Sequence, residues 1–204
     1  MKRHENFWDR NAKFYEYFMR KDRKAYEKMY ELIRPIVNDK EVLELATGTG
    51  MIAKNIVHTA KHIEASDASA QMIAEAKRNS CSIKLNFSVQ DMFDLPYTSQ
   101  TFDVVIIANA LHIVQQPKKA LAEIRRVLKD DGVLVAPTFT HEGNTICGEA
   151  KLFCMRVAGF PLHAKWSSVA YLSFLRQNGW VVRKSTVLKA AFPLTYVECV
   201  KEEE

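Results

Sequence analysis

Residues 42–50 carry the first pattern in this chain that can bind a nucleotide-like ligand. They read VLELATGTG, an apolar strand pattern that runs into a glycine-rich turn and then a helix pattern. Gly48 and Gly50 allow the backbone to turn tightly and to approach a ligand without an obstructing Cβ. The helix that follows directs its free N–H groups toward the same place. Ordinary strand–helix connections also use such turns, so the turn alone does not establish a site.

Two aspartates strengthen this signal. Asp67 ends the next apolar segment, about twenty residues after the glycines, where a carboxylate can accept hydrogen bonds from both hydroxyls of an adenosine ribose. Asp91 follows a third apolar segment, where a carboxylate can accept from an adenine amino group while Met92 packs on the ring. In open α/β sheets the carboxyl ends of the strands line the ligand crevice. The three features together therefore predict a nucleotide-type site.

Alternating strand and helix patterns must position these residues. They predict an α/β fold, a Rossmann-like open sheet that is mostly parallel, with helices on both faces. Strand patterns cover residues 41–46, 61–66, 83–89, 102–108 and 132–138. Helix patterns run from the glycine turn to about residue 60, and over 69–79 and 117–128. The aromatic-rich stretch 5–34 predicts one or two amphipathic helices that end before Pro35.

The pattern changes after residue 140. It predicts a helix over 142–159 and another that is capped by Ser167 or Ser168 and stops at Gly179. Two further strands are predicted over 180–188 and 192–200. Their short link permits only antiparallel pairing, because a parallel crossover needs a dozen or more residues. The sheet is therefore expected to end in a C-terminal antiparallel strand pair.

Composition excludes several function classes. The 204 residues, 48% of them apolar, suffice for one domain with a sizeable core. The sequence has no apolar run of membrane-spanning length and no apolar signal-peptide core, so we expect a cytoplasmic protein without stable membrane insertion. Its net charge of +5 comes from Lys and Arg spread along the chain, which argues against nucleic-acid binding. No His/Asp set has metal-ligand spacing, so no metal is expected.

The segments resemble the class I S-adenosylmethionine-dependent methyltransferases, specifically the methyltransferase type 11 group that includes ubiquinone and menaquinone biosynthesis enzymes. The likeness covers about residues 41–138. Its motifs are ELATGTG at 44–50, EASDASAQM at 64–72, QDM at 90–92 and FDVV at 102–105 followed by NALH at 109–112. Ala46 stands where many members have glycine, although the quinone-type branch often has alanine there.

The resemblance implies S-adenosyl-L-methionine as cofactor, with S-adenosyl-L-homocysteine as product. It implies a single methyltransferase domain over 1–204, with a helical lid at 1–35, a cofactor-binding core at 41–138 and a substrate-side insertion at 142–166. Tyr15 is expected to close over the cofactor from the N-terminal helix. The other expected cofactor-binding residues are Glu44, Ala46, Thr47, Gly48, Gly50, Asp67, Ala68, Met72, Asp91, Met92 and Asn109.

The expected reaction is in-line methyl transfer to a small-molecule acceptor, which proximity and alignment can promote without a conspicuous catalytic residue. His112 follows the fourth strand near where the methyl should point, and we predict it as a base or orienting group; the alternative is a packing role. Two other functions stay open: a non-catalytic adenosylmethionine-binding partner subunit, and a dinucleotide-dependent oxidoreductase, since GTGMIA at 48–53 also fits the dinucleotide fingerprint. A pyrophosphate would, however, lie unfavourably beside Glu44. The sequence leaves the acceptor, the methylated atom and the oligomeric state open.

Overall fold

The computed structural model describes residues 7–12, 19–78, 80–141 and 162–203. Their strands form one mixed sheet in the order β3-β2-β1-β4-β5-β8-β6, and β7 also pairs with β8. The strands are β1 (Glu41–Leu45), β2 (His62–Asp67), β3 (Leu85–Val89), β4 (Phe102–Ile107), β5 (Leu128–Val135), β6 (Thr138–Phe139), β7 (Trp180–Leu188) and β8 (Leu194–Lys201).

Five α-helices accompany the sheet within these residues. They are α1 (Arg23–Val37), α2 (Met51–Ile56), α3 (Ala70–Lys77), α4 (Pro117–Val127) and α5 (Ser168–Arg176). Residues 7–12 are also helical, and Arg20–Asp22 forms a short 3₁₀ turn. The helix predicted over 142–159 lies outside the described residues.

The strand pairing confirms the predicted Rossmann-like architecture. Strands β1 to β5 pair in parallel, and in register Leu45 lies beside Ser66 on one side and Ile107 on the other. Strand β8 runs antiparallel to β5, β6 and β7, which confirms the C-terminal antiparallel pair. The carboxyl ends of the parallel strands therefore meet at one edge of the sheet, and the loops that leave them converge there.

Alternation along the central strands produces two cores. Val42 and Ile106 lie on the face covered by α1, α2 and α3, whereas Leu43 and Ile107 lie on the face covered by α4 and α5. All four side chains are buried. Strands buried on both faces are nearly continuous apolar runs, which is why β1 and β4 were recognisable in the sequence.

Some predicted boundaries are wrong. Helix α1 continues through Pro35, because the proline lies in the last turn, where its missing N–H removes a single helical hydrogen bond. Strand β3 begins at Leu85, since Ile83 is 98% exposed. Strand β5 begins at Leu128, directly after α4, because that residue already pairs with Phe102. It ends at Val135, before the separate short strand β6. The helix after the glycine turn, α2, ends at Ile56 rather than near residue 60.

Candidate cofactor site

A cavity of about 310 Å³ lies at the carboxyl edge of the parallel strands. Loops after β1, β2, β3 and β4 contribute to it, as does the N-terminal helical segment. Its lining consists of Trp8, Ala46, Gly48, Asp67, Ala68, Ser69, Met72, Asp91, Met92, Phe93, Ala108, Asn109, Ala110, Ile113, Val114, Gln115, Gln116 and Lys119.

Most of the cofactor residues predicted from the sequence are brought together here. Those in the lining are Ala46, Gly48, Asp67, Ala68, Met72, Asp91, Met92 and Asn109. Glu44, Thr47 and Gly50 belong to the same turn but lie outside the lining, and Tyr15 lies outside the described residues. The cavity thus brings together residues from four separate motifs.

The glycine turn after β1 is built from left-handed backbone conformations. Ala46 has φ +52°, Gly48 φ +57° and Gly50 φ +78°. A Cβ on Gly50 would lie 2.6 Å from the Cζ of Phe87, so packing against β3 requires glycine there. Gly50 therefore shapes the turn from behind, while Gly48 faces the cavity.

Asp67 ties the turn after β1 to the turn after β2. Its Oδ2 accepts the Gly48 N–H and its Oδ1 accepts the Ser69 N–H, each at 2.9 Å. Burial raises the pKa of this carboxyl group, and the nearby charge of Asp9 adds to the rise. Each carboxylate oxygen has a second lone pair, so Asp67 can hold both turns and still accept from two ligand hydroxyls.

Glu44 lies beneath the turn and is 2% exposed. Burial, followed by a smaller contribution from Asp67, raises its pKa to about 8. Its Oε2 and the hydroxyls of Thr47 and Thr49 are buried without a hydrogen-bond partner among the described residues. Glu44 is therefore mainly protonated at neutral pH in the protein alone, and it supports the turn from below.

Asp91 lines the part of the cavity that lies beside the end of β3. Its Oδ1 accepts the Phe93 N–H at 2.9 Å, which fixes the carboxylate in the loop directly after β3. The ammonium of Lys119, at the start of α4, lies 5.8 Å from the centre of the Phe93 ring. Together with Met92, these groups place one carboxylate and one ammonium beside two apolar side chains, and the carboxylate with the apolar surfaces suits a planar heterocycle carrying an amino group.

Asn109 fixes the turn after β4. It has φ +53°, its amide nitrogen donates to the Tyr26 hydroxyl at 2.9 Å, and its amide oxygen accepts the Phe139 N–H at 3.0 Å. One N–H of the amide remains for other contacts. Its predicted cofactor contact remains a proposal.

His112 lies behind the cavity and is not part of the lining. It is 4% exposed, and its Nδ1 lies 2.8 Å from the Thr138 hydroxyl on β6. Burial, with a smaller effect from His141, lowers the pKa of His112 to about 4, so the ring is neutral at neutral pH. Its predicted catalytic role remains a proposal.

Sequence reasoning missed about half of the lining. Gln115 and Gln116 immediately precede α4 and Lys119 lies in its first turn, where the sequence predicted a helix start but no ligand contact. Trp8 reaches the cavity from a segment distant in sequence. Among the described residues, no group of three or more His, Cys, Asp or Glu side chains is placed to hold a metal ion. Nor does any helix in those ranges have the length and apolar character needed to cross a membrane.

Comparison with known proteins gives consistent matches. Residues 43–136 match the family described as methyltransferase domain. The demethylmenaquinone methyltransferase of Thermotoga maritima is 34% identical over 184 residues, covering 89% of this chain and 76% of the relative. That of Renibacterium salmoninarum is 37% identical over 105 residues, but the match spans only 52% of this chain and 44% of the relative.

A solved structure has the same fold. The structure described as a DhpI–SAH complex superposes with a TM-score of 0.75 at 22% identity, covering 100% of this chain and 97% of that one. Its description names the demethylated form of the cofactor implied by the motifs. At this identity the likeness concerns the fold.

Proposed function

We propose that this chain, which belongs to the class I S-adenosylmethionine-dependent methyltransferases and whose cofactor is S-adenosyl-L-methionine, transfers the methyl group to a small-molecule acceptor. The observation that carries the proposal is the cavity at the strand ends, where Gly48, Asp67 and Asp91 line one space. These residues come from three different loops, and the two carboxylates supply acceptors for the hydroxyl and amino groups of an adenosyl group.

Each loop has a distinct proposed task. Asp67 accepts from the ribose hydroxyls, since its oxygens keep lone pairs beyond the two backbone N–H groups they already accept. Asp91 accepts from the adenine amino group, and Met92 packs on the ring. The Gly48 backbone leaves room for the amino-acid end. Glu44 stabilises the turn, and a cation bound above it would lower the pKa of Glu44 and favour its carboxylate form.

When bound, the cofactor would supply an electrophilic methyl group on its sulfonium, so that the acceptor's electron pair would form the new bond to the methyl carbon while the electrons of the C–S bond return to sulfur. The chain's own contribution is to hold the reactants aligned and to exclude water. A proton released by the acceptor goes to solvent or to a side chain, for which His112 is the candidate from the sequence. Its neutral ring can accept a proton, although its lowered pKa makes it a weak base.

We further propose an acceptor of the quinone-precursor type. The Thermotoga relative is named for demethylmenaquinone, and the alignment with it includes most of this chain. In this proposal the chain is one domain, residues 1–35 act as a lid, and residues 142–166 form the acceptor side. Most of the last segment lies outside the described residues.

A methyl-transfer assay tests this function. The protein is incubated with adenosylmethionine labelled in its methyl group and, separately, with a soluble demethylnaphthoquinol, a simple phenol, an amine and a thiol. We expect label in the quinol, and Asp67→Ala serves as the inactive control. Label in another acceptor would correct the acceptor class, whereas no label in any acceptor despite cofactor binding would refute catalysis on this panel.

A further inference from the structure

The helical segment 7–12 walls the cavity through Trp8 and is hydrogen-bonded to the loop after β2. Trp8 lies in the lining, and the Oδ1 of its neighbour Asp9 accepts a hydrogen bond from the Ser69 hydroxyl, with 2.5 Å between the two oxygens. Ser69 lies 60 residues further along the chain, between β2 and α3. A side-chain hydrogen bond thus joins the N-terminal segment to the loop that carries Asp67.

Ser69 is suited to anchor this wall because it is fixed on the opposite side. It is 3% exposed, its N–H donates to Asp67, and its hydroxyl oxygen accepts the Met72 N–H at 3.1 Å. Since the Ser69 hydroxyl donates its hydrogen bond to Asp9, the lone pairs of its oxygen remain available to the Met72 N–H. The wall, the carboxylate of Asp67 and the first turn of α3 therefore share one serine.

The charges around this contact make it sensitive to what fills the cavity. The carboxylate of Asp9 lies close enough to Asp67 to add to the rise in the pKa of Asp67. Two carboxylates of the same sign repel, so the Ser69 hydrogen bond works against that repulsion when the cavity holds only water. Hydroxyls that donate to Asp67 favour its charged form and so maintain this repulsion, which the Ser69 hydrogen bond must still oppose when the cavity is filled.

We propose that Asp9 is a positioning residue whose hydrogen bond to Ser69 latches segment 7–12, and with it Trp8, against the bound cofactor and slows cofactor release. This inference rests on the proposed function, because it requires the cavity to hold the cofactor. The latch acts after encounter, so its loss raises the dissociation rate constant and leaves the association rate constant nearly unchanged.

Surface plasmon resonance with the full chain and S-adenosylhomocysteine tests the latch. Losing a hydrogen bond to a charged group should raise the dissociation rate constant of Asp9→Ala about tenfold or more. Asp9→Asn should have a smaller effect, because its amide oxygen still accepts the hydroxyl proton. Asn11→Ala is the matched control, since Asn11 donates to the Phe7 carbonyl within the segment at 2.8 Å, and it should release the ligand at the wild-type rate.

A double-variant cycle separates a latch from general destabilisation. Ser69→Ala also removes the cap of α3, so it should accelerate release, but adding Asp9→Ala to it should change the rate little further. The latch would be overturned if the double variant's increase in dissociation rate constant equalled the product of the two single increases. A rate constant for Asp9→Ala within about twofold of wild type would also overturn it. If the wild-type protein binds no S-adenosylhomocysteine, the proposed function itself fails; normal wild-type binding with an unaffected Asp9→Ala refutes the latch alone.

Discussion

Replacement of Asp67 should separate ligand binding from folding. In Asp67→Ala the Gly48 and Ser69 N–H groups lose their acceptor, and the proposed ribose contacts disappear. Each hydrogen bond between a hydroxyl and a charged group is worth about 1.5–3 kcal/mol. Losing two such contacts corresponds to a loss of affinity of at least about a hundredfold.

Asp67→Asn gives a graded test of the same geometry. Its amide oxygen can accept from one of the two turns, but its NH₂ group faces the other N–H and cannot accept from it. We therefore expect an affinity between those of wild type and Asp67→Ala. Isothermal titration calorimetry with S-adenosylhomocysteine measures the affinity, and thermal unfolding reports the stability of each variant.

Asp103→Asn is the matched control. Asp103 also accepts a backbone N–H, from Glu41 at 2.9 Å, and it pairs with Lys129 at 2.7 Å, but it lies at the amino end of β4. We expect this variant to lose stability and to keep its affinity for the cofactor. The reasoning is refuted if Asp67→Ala binds as wild type does, or if Asp103→Asn loses as much affinity.

Three further substitutions test the turn and the buried ionisable groups. Gly50→Ala should lower the free energy of unfolding in urea by about 2 kcal/mol or more, because its Cβ would meet Phe87 and its φ is +78°. Gly179→Ala should lose less, since it shares a positive φ but has a looser contact. Equal losses would contradict this. Glu44 binds its proton more tightly when folded, so the free energy of unfolding should fall as pH rises from about 4.5 to about 8, and Glu44→Gln should abolish that fall. A wild-type pH profile identical to that of Glu44→Gln would show that Glu44 does not titrate this way. His112 is neutral when folded, so stability should fall as pH drops from 6.5 toward about 4, and His112→Gln should remove this acid sensitivity. The same variant tests the proposed catalytic role, which a wild-type methyl-transfer rate would exclude.

The sheet could be predicted because its strands carry two independent signals. The apolar runs of β1 and β4 identify strands buried on both faces, and the short link between β7 and β8 leaves only antiparallel pairing. Asp67 and Asp91 could be placed near the glycine turn because parallel strands bring their carboxyl ends to one edge.

The missed features depend on contacts between distant residues. The Asp9–Ser69 contact spans 60 residues and leaves no local pattern. The hydrogen-bond partner of buried His112 is Thr138 on β6, a two-residue strand too short to recognise from alternation. Pro35 signalled a helix end, but packing of α1 against the sheet carries the helix through its last turn.

A crystal structure of the protein with S-adenosylhomocysteine tests the central claim most directly. We predict the ligand in the cavity at the strand ends, with its ribose hydroxyls on Asp67 and its adenine between Met92 and the residues after β4, the amino group on Asp91. A ligand bound elsewhere, or one whose ribose makes no contact with Asp67, would contradict the account.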